Sequence, residues 1–175
     1  MLRRLPILVK VIILQVVFLV LHYAYEWFPG SLTFFISATN ESIYQHMKIA
    51  FYAYFLFALL EYALKGPAAI EKSRFLYARL LGLVLIPLLV LPCFLLESVL
   101  FVKIESIPLE VIFANLALAA TSASTLLLVE AFETGKISRG AQWALLILFF
   151  VTAIEFATFN YRLPWFDIFA IPPGW

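Results

Sequence analysis

The run Asn40-Glu41-Ser42-Ile43-Tyr44-Gln45-His46-Met47-Lys48 holds the highest density of polar and ionisable side chains in this sequence. Long apolar stretches flank it, and it falls where the second of them begins. Ionisable groups at the mouth of a membrane helix are costly to keep there, and they often mark functional sites. The run therefore predicts both the start of a membrane helix and the position of a site.

Composition places the whole chain in a membrane. Hydrophobic residues make up 65% of the 175 residues and charged residues 13%, and the mean hydropathy is +1.01. Soluble domains average about 45–50% apolar and about 25% charged residues. We therefore predict an all-α, multi-pass protein of the cell membrane that forms a single domain over residues 1–175. A net charge of +1 argues against a nucleic-acid partner, and the single Cys93 excludes an internal disulfide.

Five apolar stretches are long enough to cross a hydrocarbon core of about 30 Å, which needs about 20 helical residues. The stretch Ser31 to Thr39 is too short to span and is predicted to be a loop or a shallow re-entrant piece. Asn40 is predicted to cap the second span, and residues 68–79 are predicted to form a solvated connector. The predicted spans cover residues 6–28, 42–64, 80–101, 109–132 and 141–159, followed by an interfacial tail over 160–175.

The fourth predicted span is richer than the others in small and hydroxyl-bearing residues. Ala117, Thr121 and Thr125 recur every fourth residue, and Asn115 lies on the same stretch. Small residues at that spacing let membrane helices approach closely. We therefore predict that this helix lies at the centre of the bundle.

Basic residues predict the orientation of the chain. Nine of its 12 lysines and arginines fall on the side of the N-terminus, and only Lys48, Lys103 and Arg162 fall on the other. Because basic residues accumulate in cytoplasmic loops, the N-terminus is predicted to be cytoplasmic and the C-terminus outside. An outer aromatic belt is then predicted from Tyr23, Tyr25, Trp27, Tyr44, Trp165 and Trp175.

Two histidines are predicted to lie at a similar depth in the membrane, because consecutive spans run in opposite directions. His22 lies near the outer end of the first span, and His46 lies about 9 Å from Asn40 at a rise of 1.5 Å per residue. Glu26 follows His22 by four residues, and Ser42 precedes His46 by four, so each pair shares a helix face. Further carboxylates expected at this end are Glu97, Glu110 and Glu155. Glu61 and Glu130 are expected to reach the cytoplasmic surface, or to pair with Lys65 and Arg139.

Each of these polar residues can also be explained by a structural role instead of a functional one. Asn40 and Glu41 suit the cap and the positive first turn of a helix. Lys48 is either a functional cation or an ion-pair partner of Glu41 or Glu26. His22 and His46 are either metal ligands or hydrogen-bonded histidines, because an unpaired polar group in hydrocarbon costs several kcal/mol.

The motif Asn40-Glu-Ser-x-x-x-His46-x-Lys48, with His22-Tyr-Ala-Tyr-Glu26-Trp27 before it, resembles a family of small prokaryotic membrane proteins of unknown function. Members show Pro-Val-Asn-Glu-Ser-Val-Trp-Glu-His-Leu-Lys here, and they end in proline-rich segments that Pro164-Trp-Phe-Asp167 and Pro172-Pro-Gly174 resemble. This chain departs at Ala38-Thr39 and at Gln45, which replaces a glutamate and cannot act as an acid or a base. The resemblance implies the place of a site and no particular reaction.

Three classes of function remain open. The first is a metal-dependent enzyme that acts on a lipid or lipid-linked substrate, with a divalent cation such as zinc. The second is a non-catalytic small subunit or assembly factor of a larger complex, or a homo-oligomer. The third is an ion- or proton-linked carrier. Candidate metal ligands are His22, His46 and Glu26, and candidate catalytic residues are His46, Glu41, Asn40, Ser42 and Lys48.

Overall fold

The protein is an all-helical bundle in the computed structural model, which describes residues 5–65, 71–101, 106–165 and 167–171. Five helices are long and apolar enough to cross a membrane, which confirms the predicted fold class. The helices are α1 (Ile7–Trp27), α2 (Ser31–Ile36), α3 (Ile43–Lys65), α4 (Lys72–Phe101), α5 (Ile107–Thr134) and α6 (Arg139–Thr158), followed by a 3₁₀ turn at Asp167–Phe169. Apart from α2, these are the five spanning helices.

The spanning helices run antiparallel to their neighbours in sequence, so the described bundle has two polar ends. We call them the Lys10 end, where α1 and α4 begin, and the His22 end, where α1 and α4 finish. Helix α3 is the most buried of the five. Half of the residues in its most hydrophobic stretch of 18 are buried, against 28% in the corresponding stretch of α5. The prediction that the fourth span is central is therefore wrong, although Thr121 and Thr125 do face the interior of the protein.

Helix α4 begins earlier than predicted. It starts at Lys72 rather than Leu80, and Arg79 is only 4% exposed. The prediction of a connector is thus wrong for residues 72–79, which are helical, although residues 72–74 are exposed as expected; residues 68–70 lie outside the described part of the chain. Charged residues in a sequence suggest solvent, but here the first two turns of a helix carry a guanidinium into the bundle.

A network of buried charges fixes the Lys10 end; we call Lys10, Glu61, Arg79, Glu130 and Glu133 the charge network. The Lys10 ammonium lies 3.1 Å from Glu61 and 2.5 Å from Glu130. Arg79 binds Glu61 at 2.7 Å and Glu133 at 2.9 Å. Glu61 and Glu130 thus pair with cations from α1 and α4, so the expected role of Arg139 is wrong; the Lys65 side chain lies outside the described part of the chain.

Short helix α2 folds back against α1 and α3 at the His22 end and does not span. Its last carbonyls are held by two side chains from other elements. The ammonium of Lys48, which is fully buried, donates to the Phe34 carbonyl at 3.3 Å and to the side-chain oxygen of Asn160 at 2.9 Å. The amide of Asn160 in turn donates to the Phe35 carbonyl at 3.3 Å. Lys48 thus anchors α2 instead of pairing with Glu41 or Glu26.

The residues predicted to form an aromatic belt differ in exposure. Tyr23, Trp27 and Trp165 are 43%, 57% and 88% exposed. Tyr44, however, is buried against Phe156 and Phe169, and its hydroxyl donates to the Phe156 carbonyl. Trp175 lies outside the described residues. The C-terminal segment therefore packs partly into the core through Phe169 rather than lying wholly along the interface.

Candidate metal centre

Two histidines and one carboxylate converge at the His22 end; we call His22, Glu41 and His46 the histidine site. The Nε2 atoms of His22 and His46 lie 3.4 and 3.5 Å from the same Glu41 oxygen, Oε2. The two imidazole centres are 5.2 Å apart. One ligand atom from each residue falls within 4.8 Å of the others, which is a spacing that suits a metal ion. The predicted convergence of His22 and His46 is therefore confirmed.

The start of α3 explains how His46 is oriented. The Ser42 carbonyl accepts hydrogen bonds from the His46 amide at 3.3 Å and from the His46 ring at Nδ1, at 3.0 Å. Because a carbonyl can only accept, Nδ1 carries a proton, and in the neutral ring Nε2 presents a lone pair towards Glu41. At metal sites, the histidine nitrogen that does not bind the metal commonly donates a hydrogen bond to a backbone carbonyl.

The turn before α3 places Glu41. The Asn40 side chain accepts from the Ser42 amide at 3.0 Å, and the Ser42 hydroxyl accepts from the Gln45 amide at 3.4 Å. Ser42, rather than Asn40, therefore sits at the N-terminus of α3, where its hydroxyl takes up an amide of the first turn. Gln45 is itself buried and binds the Thr39 hydroxyl at 3.0 Å. These contacts fix the turn that carries Glu41 over the two histidines.

Aromatic rings enclose the histidines. Phe94 lies 4.8 Å from His46 and Phe18 lies 6.3 Å from both imidazoles, measured between ring centres. Side-chain exposure rises from 10% for His46 and 13% for His22 to 26% for Glu41. The site is thus surrounded by apolar rings, and its carboxylate is the most exposed of its three side chains.

Electrostatics at the site favour an ionised Glu41. The hydrogen bond from His22 lowers the pKa of the Glu41 carboxyl, and the two histidines lower it further by charge interaction, against the opposing effect of burial. The Glu41 carboxylate is therefore held in the form that binds cations.

The remaining predicted site residues are elsewhere. Glu26, predicted as a ligand, is exposed and is not part of the three-residue group, in which Glu41 takes the carboxylate position. Lys48 binds α2 on another face of α3. Asn40 and Ser42 shape the turn and do not enter the group of ligand atoms.

Sequence reasoning missed a row of buried polar groups between the two ends. Within the described residues, the hydroxyls of Tyr54, Ser122 and Thr125 and the carbonyl oxygen of the Gln15 side chain have no hydrogen-bond partner. The Tyr54 ring lies directly on Gly82, where an added Cβ would come within 2.2 Å of the tyrosine oxygen. The signal available in the sequence was the presence of hydroxyl and amide residues inside apolar spans.

Comparisons of the chain with family models, with curated proteins and with solved structures find no match. The resemblance of the Asn40–Lys48 motif to a family of small membrane proteins therefore stays a prediction. The function has to be argued from the site itself.

Proposed function

We propose that this protein is a membrane-embedded, zinc-dependent enzyme that hydrolyses a lipid or lipid-linked substrate at the histidine site. One observation carries the proposal. The lone pair of His46 Nε2 faces the Glu41 carboxylate oxygen at 3.5 Å. Two acceptors at that distance repel each other unless a proton on Nε2 or a metal cation lies between them, and we take a divalent metal to be that cation.

Two of the three distances between ligand atoms fit a tetrahedral zinc site, and all three ligand atoms lie within 4.8 Å of one another. Zinc bonds to histidine nitrogen and carboxylate oxygen are about 2.0–2.1 Å long, so neighbouring ligand atoms of a tetrahedron are about 3.3 Å apart. The two nitrogen-to-oxygen distances of 3.4 and 3.5 Å are close to that edge. Two histidines with one carboxylate form a ligand set known from catalytic zinc sites.

The chemistry follows from the number of ligands. Three protein ligands leave a fourth position open for water, and zinc lowers the pKa of such a water towards neutrality. The phenyl rings of Phe18 and Phe94 suit an acyl or isoprenoid chain next to the site. A substrate with an apolar chain and a hydrolysable polar head would thus approach the ligands from the side of Glu41, which is the most exposed of the three.

Metal analysis of the detergent-purified protein tests the first half of the proposal. We expect about one zinc per chain after zinc loading and removal of excess metal, and a loss of that zinc in both His46→Gln and Glu41→Gln. Glu26→Gln is the matched control, because Glu26 is exposed and follows His22 by one turn. A wild-type protein without bound metal, or a Glu41→Gln variant that keeps it, would overturn the proposal.

Turnover tests the second half. Zinc-loaded protein in mixed micelles is expected to release a water-soluble head group or a fatty acid from membrane lipids, and His46→Gln is expected to be inactive. A metal-loaded protein without turnover on phospholipids, glycolipids and polyprenyl phosphates would overturn the enzymatic part. That result would favour the alternative of a non-catalytic small subunit with a structural metal.

A further inference from the structure

A cavity at the Lys10 end lies at the opposite end of the bundle from the histidine site. The start of α4, the turn between α5 and α6 and the start of α6 enclose about 340 Å³. That volume falls within the range of small-molecule sites, about 300–1,000 Å³. The residues that line it are Glu71, Ser73, Arg74, Lys136, Ile137 and Gln142. Five of these six are polar or charged in a chain that is 65% hydrophobic, and we call this space the basic cavity.

Positive charge predominates around the basic cavity. Arg74 and Lys136 line it, and the exposed Lys72 and Arg139 lie within two residues of its lining. Glu71 is the only carboxylate in these two described segments, 71–74 and 136–142. The carboxylates of the charge network, at the same end, are already paired with the cations of that network. The basic cavity therefore suits an anion.

The side chains of the basic cavity also offer hydrogen-bond donors. Arg74 binds Glu71 through Nε at 2.6 Å, and a guanidinium has five N–H donors, so its terminal nitrogens remain to bind a second acceptor. The Lys136 ammonium makes no hydrogen bond or ion pair to the described part of the chain. The Ser73 hydroxyl and the Gln142 amide add neutral donors. Such a donor set matches the oxygen atoms of a phosphate group.

The surroundings of the basic cavity place it at the level of lipid headgroups. Trp143, next to Gln142, is 67% exposed, and tryptophan is enriched at membrane interfaces. Leu76 lies one turn along α4 from Ser73 and is 51% exposed. An apolar surface therefore borders the cavity on the side of the spanning segments. A ligand with an anionic head and acyl chains would use both surfaces, whereas a free anion would use only the cavity.

We propose that the basic cavity binds the phosphate headgroup of an anionic membrane phospholipid. Arg74 and Lys136 pair with the phosphate, and Ser73 and Gln142 donate hydrogen bonds to its oxygens. Basic pockets between spanning helices are known to bind anionic headgroups. Because the two cations come from α4 and from the turn between α5 and α6, a bound lipid holds these elements together. This site does not depend on the histidine site or on hydrolytic activity.

Quenching of Trp143 fluorescence by brominated lipids tests the site, because brominated acyl chains quench a tryptophan that they contact. A chain whose only tryptophan is Trp143, with phenylalanine at the other three positions, is reconstituted in mixtures of phosphatidylglycerol and phosphatidylcholine, one of them brominated. We expect phosphatidylglycerol to be preferred at Trp143 by roughly fivefold or more, the effect of one basic residue near an anionic headgroup. A chain whose only tryptophan is Trp27, at the His22 end, should show no preference. Equal binding of the two lipids at Trp143, or the same preference at Trp27, would overturn the proposal.

Matched variants separate a defined site from a diffuse basic surface. Lys136→Gln removes a cation that lines the cavity, whereas Lys72→Gln removes an exposed cation of the same end that does not. Lys136→Gln should reduce the preference at Trp143 roughly fivefold. Lys72→Gln should reduce it by less than about twofold, because exposed charges are screened by salt. Equal losses in the two variants would overturn a defined site.

Two further measurements identify the ligand and avoid the tryptophan substitutions. An excess of inorganic phosphate at constant ionic strength should leave the lipid preference intact, and its loss would overturn the lipid in favour of free phosphate. Phosphatidylglycerol added to the otherwise unaltered chain in detergent should raise the melting temperature more than phosphatidylcholine does. Lys136→Gln should abolish that difference, and a difference that persists would contradict the site. Zinc content should be the same in Lys136→Gln and wild type, so failure here is distinguishable from failure of the metal site.

Discussion

Glu41 shows how one carboxylate combines two roles. It lies outside the spanning helices, on a turn fixed by Asn40 and Ser42, yet it contacts histidines from α1 and α3. Its ionised form is stabilised chiefly by the hydrogen bond from His22. A single side chain therefore joins two helices, and in the proposed metal site it would also supply the anionic ligand.

The pH dependence of stability should report that contact. A carboxyl whose pKa is lowered on folding adds stability above its unfolded pKa and loses it as the pH falls through the folded value. In chelator, Glu41→Gln should lower the free energy of unfolding by about 1–2 kcal/mol at pH 7. The difference from wild type should persist down to the ordinary carboxyl pKa of 4.5 and then shrink as the pH falls further.

Thermal unfolding in detergent at a series of pH values measures the effect. The control is Glu26→Gln, which changes an exposed carboxylate near the same site and should match wild type throughout. A Glu41→Gln difference that grows as the pH falls below 4.5 would contradict the stated role of the His22 contact.

At the scale of elements, the short helix α2 depends on a cation from α3. Lys48 is fully buried and donates to the Phe34 carbonyl and to Asn160. Cations favour the C-terminal ends of helices, where carbonyls lack helical partners. The lysine therefore stabilises a helix that is too short to be stable alone.

Replacing Lys48 by methionine should destabilise the protein by about 1–3 kcal/mol, because it leaves buried acceptors unsatisfied. Lys72→Met, at the exposed start of α4, is the control. In a background without Cys93, a cysteine at the buried position Ser37 should react with a thiol reagent faster in the Lys48→Met variant. Equal reactivity in both variants would contradict the anchoring role.

Close packing along α5 gives a second prediction for an element. Thr121 is 4% exposed on the inner face, whereas Ser124 lies on the outer face of the same helix. Thr121→Leu should reduce the free energy of unfolding by about 1–3 kcal/mol through overpacking, and Ser124→Leu should leave it nearly unchanged. The melting temperatures of the two variants are measured side by side. Equal values would contradict the prediction that Thr121 lies in a close contact between helices.

For the whole molecule, the predicted orientation is testable by labelling. Single cysteines at the exposed positions Ser31 and Ser73 lie near opposite ends of the bundle. In a background without Cys93, a membrane-impermeant reagent should label Ser31→Cys in intact cells and Ser73→Cys only after lysis. The reverse pattern would invert the orientation, and labelling of both from outside would end the five-span topology.

Much of this architecture could be predicted from the sequence, for physical reasons. Apolar length identifies spans, and antiparallel threading places His22 and His46 at one depth because helical rise is constant. Glu41 was not distinguished from Glu26 as the ligand, because it precedes α3 and helical spacing does not govern it. The partners of Lys10 and Arg79 were missed since they are set by packing between helices distant in sequence.

The pairing of Lys10 has a consequence for biosynthesis. Its carboxylate partner Glu130 is 120 residues further along the chain. At about 5–20 residues per second, a ribosome needs about 6–24 s to make that stretch. Until Glu61, its other partner, is made 51 residues after Lys10, the first helix holds an ammonium with neither acid beside it, near one edge of the bilayer. Snorkelling of the long lysine side chain to the headgroups satisfies it meanwhile. The newly synthesised first helix should therefore lie displaced towards that edge of the bilayer. It should move deeper into the bilayer only after the later helices have been inserted.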